Sequence, residues 1–243
     1  MERATQTKIP GRTFPLELAV PGGLLGGELV FPEAARGLVL FAHGSGSSRF
    51  SPRNRSVSAE LGRSGFATLL FDLLTQEEER ADQLSGHLRF DIELLSRRLL
   101  AATWWAAEQK VVSNLRFGYF GDSTGAAAAL MAAAEAGDRI KAVVSRGGRP
   151  DLAGSALPRV EAATLLIVGG RDEQVLDLNQ GALKRLRCPR RLVVVPGATH
   201  LFEEPGALEE VSRLASVWFR EHLSAEIDSE ETRKSLEASV RGE

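Results

Sequence analysis

The sequence predicts an α/β fold: a mostly parallel sheet of about eight strands, with helices on both faces and an antiparallel hairpin at its start. Three observations carry this expectation. Short β-prone runs recur along the whole chain. From residue 37 onward these runs are continuously apolar, as strands covered on both faces are. Helical stretches separate most of them, which is the alternation of a parallel sheet wrapped by helices. A length of 243 residues suits one α/β domain, and a 43% hydrophobic content beside 26% charge allows a sizeable core.

Taken in order, the runs at 14–20 and 24–31 flank Pro21, Gly22 and Gly23 and read as a hairpin. The apolar runs follow at 37–43, 66–72, 115–121, 140–145, 163–170 and 190–197. Helical patterning covers 90–109, with apolar residues at three- and four-residue spacing, then the alanine-rich 123–136, then 175–186 and 207–223. Residues 73–88 read as a polar connection, and no insertion is long enough to form a separate lid domain. Residues 1–13 form an N-terminal extension to a domain over 14–224. The composition then changes sharply, and 225–243 reads as a flexible tail with little to bury.

Composition narrows the function. With 30 basic and 32 acidic residues, the net charge of −2 leaves no electrostatic footprint for nucleic acid or an anionic membrane. No window approaches the roughly eighteen apolar residues of a membrane span, and the start lacks the apolar core of a secretion signal. A cytoplasmic location is the resulting expectation. Cys188 is the sole cysteine, which excludes an internal disulfide and a cysteine-based metal cluster. No metal or cofactor is expected.

The chemistry starts at "YFGDSTGAAAALMAAAEAG", 119–137. A β-prone run passes through Gly121-Asp122-Ser123-Thr124-Gly125 straight into a helix, the pattern of a nucleophile elbow. In such a turn the serine adopts a strained backbone that lifts its hydroxyl over the carboxyl ends of the strands. Gly121 and Gly125 keep its surroundings small. The backbone N–H of Thr124, at a helix N-terminus, can face a developing oxyanion. A serine hydroxyl also needs a base. His200, in "VVVPGATHLFEEPG" after the last strand, follows the serine in the order Ser…Asp/Glu…His. His87 lies in the polar connection, and His222, near the end of the last helix, reads as a solvated cation. The acid falls between serine and base, where "LLIVGGRDEQV" exposes Asp172 beyond a strand end; Glu173 and Asp151 are neighbouring candidates. Asp172 would fix the imidazole tautomer, though a plain helix N-cap is the competing role.

The loop "FAHGSGSSRFSPRNR", 41–55, follows the first parallel run, and its glycines permit close approach of backbone to a carbonyl. Ser45 is the expected second oxyanion donor, with Gly46 adjacent, and His43 braces the loop. Arg146 and Arg149 in "SRGGRPD", with Arg53 and Arg55 after the oxyanion loop, would either bind an anionic substrate group or pair with Asp151, Glu203 or Glu204.

Together "HGSG", "GDSTG", "GGRDEQV" and "GATH" resemble the α/β-hydrolases, and more narrowly the dienelactone hydrolase family, over about residues 14–223. The resemblance implies an α/β-hydrolase fold, a Ser123, Asp172, His200 triad and an oxyanion hole from Ser45 and Thr124. Dienelactone hydrolases use cysteine where this elbow carries serine, which argues against dienelactone as substrate. Cys188, between a helix and a strand, is misplaced for the nucleophile and reads as packing. Asp122 precedes the nucleophile where many members of the family have a small residue. The function expected is hydrolysis of small carboxylic esters through an acyl-serine. A non-catalytic member of the fold and an acyltransferase are the alternatives. The partner expected is a small ester, with no nucleic acid and no membrane. Trp218 and Phe219 point to core packing or a homodimer face.

Overall fold

A computed structural model describes residues 11–224, so the first ten residues and the tail at 225–243 lie outside it. The hairpin forms as β1 (Arg12–Val20) and β2 (Gly23–Phe31), paired antiparallel around Pro21-Gly22. Gly22 has φ +93°, a conformation the turn needs and L side chains resist. β1 begins two residues earlier than the apolar pattern suggests. The remaining strands are β3 (Leu38–Ala42), β4 (Ala67–Phe71), β5 (Phe117–Asp122), β6 (Ile140–Arg146), β7 (Ala163–Gly169) and β8 (Arg190–Val195). They make one sheet of eight strands in the order β1-β2-β4-β3-β5-β6-β7-β8, parallel from β4 to β8. Strands β3 to β7 are buried almost throughout, which explains their unbroken apolar composition.

Among the described residues six α-helices flank the sheet: α1 (Pro52–Arg63), α2 (Gln76–Ser85), α3 (Ile92–Glu108), α4 (Thr124–Ala136), α5 (Glu173–Arg185) and α6 (Ala207–Leu223). α1 and α6 pack together and share one apolar cluster with Val39, Phe41, Phe120 and Val144. α3 and α4 bury the other face with Leu40, Leu69, Tyr119 and Val143. Alternate residues of each strand therefore serve opposite cores. α4 is buried on nearly every side, and its run of alanines allows that close approach.

The pattern of apolar residues does not show α1 or α2. α1 is mostly polar, but Ser51 caps it by accepting from the Asn54 N–H, with Pro52 at the first helical position. α2 lies inside the supposed polar connection. Thr75 and Glu78 close a reciprocal capping box there, and Gly86 ends the helix in a left-handed conformation. Trp218 and Phe219 are both core residues. The Trp218 indole N–H donates to the Ala163 carbonyl, which ties α6 to β7. His222 packs its ring on Trp218, and burial pushes its pKa below the usual histidine value. It is packed against its own sheet-covering helix rather than freely solvated. Among the described residues no helix is long and apolar enough to cross a membrane.

Candidate active site

β5 runs into α4 through Ser123, which has φ 49° and ψ −120°. A serine in that region carries strain on the order of 1–3 kcal/mol, so its surroundings must hold it there. They do so through the backbone. The Ser123 N–H donates to the Arg146 carbonyl at 3.3 Å, and the Ser123 carbonyl accepts from Ala126 N–H at 3.2 Å and Arg149 N–H at 3.0 Å. Both elbow glycines are steric necessities. A Cβ on Gly121 would stand 2.5 Å from Ala126 Cα, and one on Gly125 would overlap the Ala42 carbonyl at the end of β3.

Asp172 and His200 meet because the loops after β7 and β8 are laced together. Gly170 N–H donates to the Val195 carbonyl and Arg171 N–H to the Ala198 carbonyl, each at 2.9 Å. His200 Nδ1 then lies 2.6 Å from Asp172 Oδ2. Asp172 occupies the N-cap position of α5, yet its side chain makes no capping bond. The carboxylate can only accept, so Nδ1 carries the proton and Nε2 is left as the basic nitrogen. The Asp172 side chain is 14% exposed and the His200 side chain 38%, so the carboxylate is sheltered while the imidazole reaches solvent. Gly147, one residue beyond Arg146, lies against the backbone of His200 and brings the base loop to the elbow. Among the described residues the His200 ring is bonded to Asp172, and no bond from Ser123 Oγ to it is formed. Such bonds are commonly loose before substrate arrives.

His43 holds the loop after β3. Its Nε2 accepts from Leu73 N–H at 3.1 Å, which leaves the proton on Nδ1 to donate to the Gly44 carbonyl at 3.0 Å. Gly44 abuts Ser123, where a Cβ would come within 3.1 Å of the serine Cβ. Ser45 sits beside the elbow, but its N–H donates to Thr124 Oγ1 at 2.9 Å. That donor is therefore already engaged.

The four arginines put forward for an anionic ligand are each engaged with a carboxylate. Arg146 is 3% exposed and pairs with Asp122, itself 7% exposed, at 2.6 Å. Asn54 of α1 adds a bond to the other Asp122 oxygen at 3.3 Å. Asp122 and Arg146 are register partners in the β5–β6 ladder, so the pair lies directly beneath the serine. Arg149 forks onto Asp151, Arg53 reaches Glu203 at 3.0 Å, and Arg55 reaches Glu28 at 3.0 Å. Arg146, Arg53 and Arg55 tie separate segments to one another, while the Arg149 pair is local.

Three residues near the site went unnoticed in the sequence. Asn54 has no signal beyond the Ser51-Pro52 helix start. Arg89, beside the loop after β3 at Gly46, is held by buried Asp82 of α2, and the capping box of that helix is the available clue. Arg49 pairs with Asp72, and its guanidinium lies 4.1 Å from the Phe50 ring centroid. Arg49, Phe50, Leu24, Asp72 and Glu79 line a cleft of about 650 Å³ that reaches His43 and Ser47. Cys188 lies away from the elbow, buried near Thr164, and burial raises its thiol pKa.

The family model named "Dienelactone hydrolase family" matches residues 25–225. A dienelactone hydrolase crystal structure from Anabaena variabilis is similar at 57% identity and a TM-score of 0.86, covering 87% of this chain and 98% of that one. Two Mycobacterium tuberculosis proteins whose names refer to a phosphoribosyl transferase are 60% identical over 197 residues, 81% of this chain. The chain spans 44% of the length of those relatives. Est1E from Butyrivibrio proteoclasticus shares the fold at 18% identity and a TM-score of 0.72, over 85% of this chain and 98% of its own.

Proposed function

This chain belongs to the dienelactone hydrolase family, and we propose that it acts as a serine esterase on small carboxylic esters. The 2.6 Å bond between Asp172 and His200 carries this reading, because it leaves the imidazole as a base beside a strained serine. Ser123 Oγ attacks the ester carbonyl carbon as His200 Nε2 takes its proton. The tetrahedral oxyanion is stabilised at the Thr124 end of α4, where the backbone N–H has no partner within the helix. Collapse breaks the bond to the leaving alcohol, which takes the proton from His200. Water then attacks the acyl-serine with the same histidine as base, and release of the acid restores the hydroxyl.

Acetate and other short acyl groups are the expected substrates, since among the described residues no separate lid domain covers the Ser123 edge. The test is p-nitrophenyl acetate turnover by the full chain and by Ser123→Ala, with a fluorophosphonate probe on both. Turnover and labelling lost together in the variant support the reading. Turnover that survives in Ser123→Ala would sink it, and octanoate rates equal to acetate rates would sink the short-acyl preference.

A further inference from the structure

We propose that the side-chain hydroxyl of Thr124 is itself a donor of the oxyanion hole, oriented by the backbone of Ser45. This rests on the serine-esterase reading above. The usual accounting gives the hole two backbone donors, one after the nucleophile and one from the loop beyond β3. Here the second is taken: Ser45 N–H donates to Thr124 Oγ1 at 2.9 Å, across 79 residues of sequence. A hydroxyl has one hydrogen and two lone pairs. Once its oxygen accepts from Ser45, its own hydrogen is what Thr124 presents to the site. Thr124 is 4% exposed, so bulk water does little to compete for that hydrogen.

The place is right for the task. Thr124 follows the nucleophile at the first position of α4, where its backbone N–H is also free of any intrahelical partner. An oxygen developing negative charge above Ser123 therefore meets an N–H and an O–H from one residue. The O–H is the second member of a chain running from Ser45 N–H through Thr124 Oγ1 to the oxyanion, and each bond in such a chain polarises the next. The frame is stiff. Gly44 is closed against Ser123, Gly125 against the end of β3, and β-branching limits the rotamers open to Thr124. An oxyanion hole works by being arranged before charge develops, and these restraints supply that arrangement.

Thr124→Val preserves shape and removes the hydroxyl, both as donor and as acceptor of the Ser45 N–H; Thr124→Ala removes shape as well; Thr124→Ser restores the hydroxyl without the methyl. All three are assayed for kcat and KM on p-nitrophenyl acetate, for affinity toward a trifluoromethyl ketone that adds to Ser123 as a tetrahedral adduct, and for thermal midpoint. We expect Thr124→Val to lower kcat by about 10²-fold with KM little changed, the size of effect that follows loss of one oxyanion donor. Trifluoromethyl ketone affinity should fall by a comparable factor, since the adduct resembles the transition state. Thr124→Ser should recover most of the lost rate. Unchanged or faster turnover in Thr124→Val or Thr124→Ala, with the parent chain active, would overturn this proposal alone and show the hydroxyl to be a resting-state plug. A loss confined to KM or to thermal stability would reduce Thr124 to a structural tie. A parent chain that neither turns over ester nor takes up fluorophosphonate would overturn the esterase reading and this one with it.

Discussion

Two carboxylates stand at the same edge of the sheet and are built for opposite tasks. Asp122 ends β5 immediately before the nucleophile, and Asp172 follows β7. Each lies 2.6 Å from a nitrogen of its partner. Asp122 faces a guanidinium that never loses its proton, and both are sealed from water. Asp172 faces an imidazole, a side chain that can take up and release a proton, and that imidazole is partly open to solvent. A pair that cannot exchange a proton works as a brace. A pair containing a titratable and accessible member can work as a relay. Distance alone does not separate the two roles; partner chemistry and burial do.

The sharpest way to break this comparison is Asp172→Asn. It should lower kcat on p-nitrophenyl acetate on the order of 10⁴-fold by favouring the wrong imidazole tautomer, with the urea midpoint nearly unchanged. Retained activity would remove Asp172 from the relay. Next comes Arg146→Met, which strands a buried carboxylate under the elbow and should cost about 3–5 kcal/mol in urea unfolding. Adding Asp122→Asn should return much of that loss. A single variant as stable as the parent would mean the brace is not where the elbow gets its rigidity.

A third, smaller effect sharpens the contrast through pH. Asp82 is buried, and burial acting alone raises its pKa. The Arg89 guanidinium and the Leu88 and Arg89 backbone N–H groups outweigh that, and hold the carboxyl below its usual value. A carboxyl lowered on folding adds stability above its unfolded pKa of about 4, lost as pH falls through the folded value. Thermal midpoints from pH 7 down to 3 should therefore fall less steeply for Asp82→Asn than for the parent chain, and equal slopes would refute the assignment. Smallest of all is Arg53→Ala, which breaks an exposed pair with Glu203 and should change unfolding stability by no more than about 1 kcal/mol.

Much of the scaffold was legible before any coordinates. The apolar runs mark β3 to β7 because buried strands must be apolar on both faces, and β-prone composition marks the more exposed β1, β2 and β8. Gly121, Gly125 and the step from strand to helix mark the elbow. α1 escaped because Asn54, Ser58, Ala59 and Gly62 make most of its inward face small or polar beside Val57 and Leu61, and α2 because the residue it buries is Asp82. Their caps, Ser51-Pro52 and Thr75 with Glu78, were the readable signals, and periodicity was the wrong instrument for them.

By itself the sequence determined a mostly parallel sheet of about eight strands after an antiparallel hairpin, and the chain order of serine, acid and histidine, since these follow from local pattern and spacing. Only the tertiary structure decided which charges meet. Arg146 turns into the protein toward Asp122 rather than outward to a ligand, because neighbouring strands bring the two into register. His222 is half-buried on Trp218 and pushed toward neutrality, because α6 packs against the sheet. Ser45 gives its N–H to Thr124 because the end of β3 closes on the elbow. Pairing across 24 or 79 residues depends on where the backbone goes, and a linear pattern carries no trace of it.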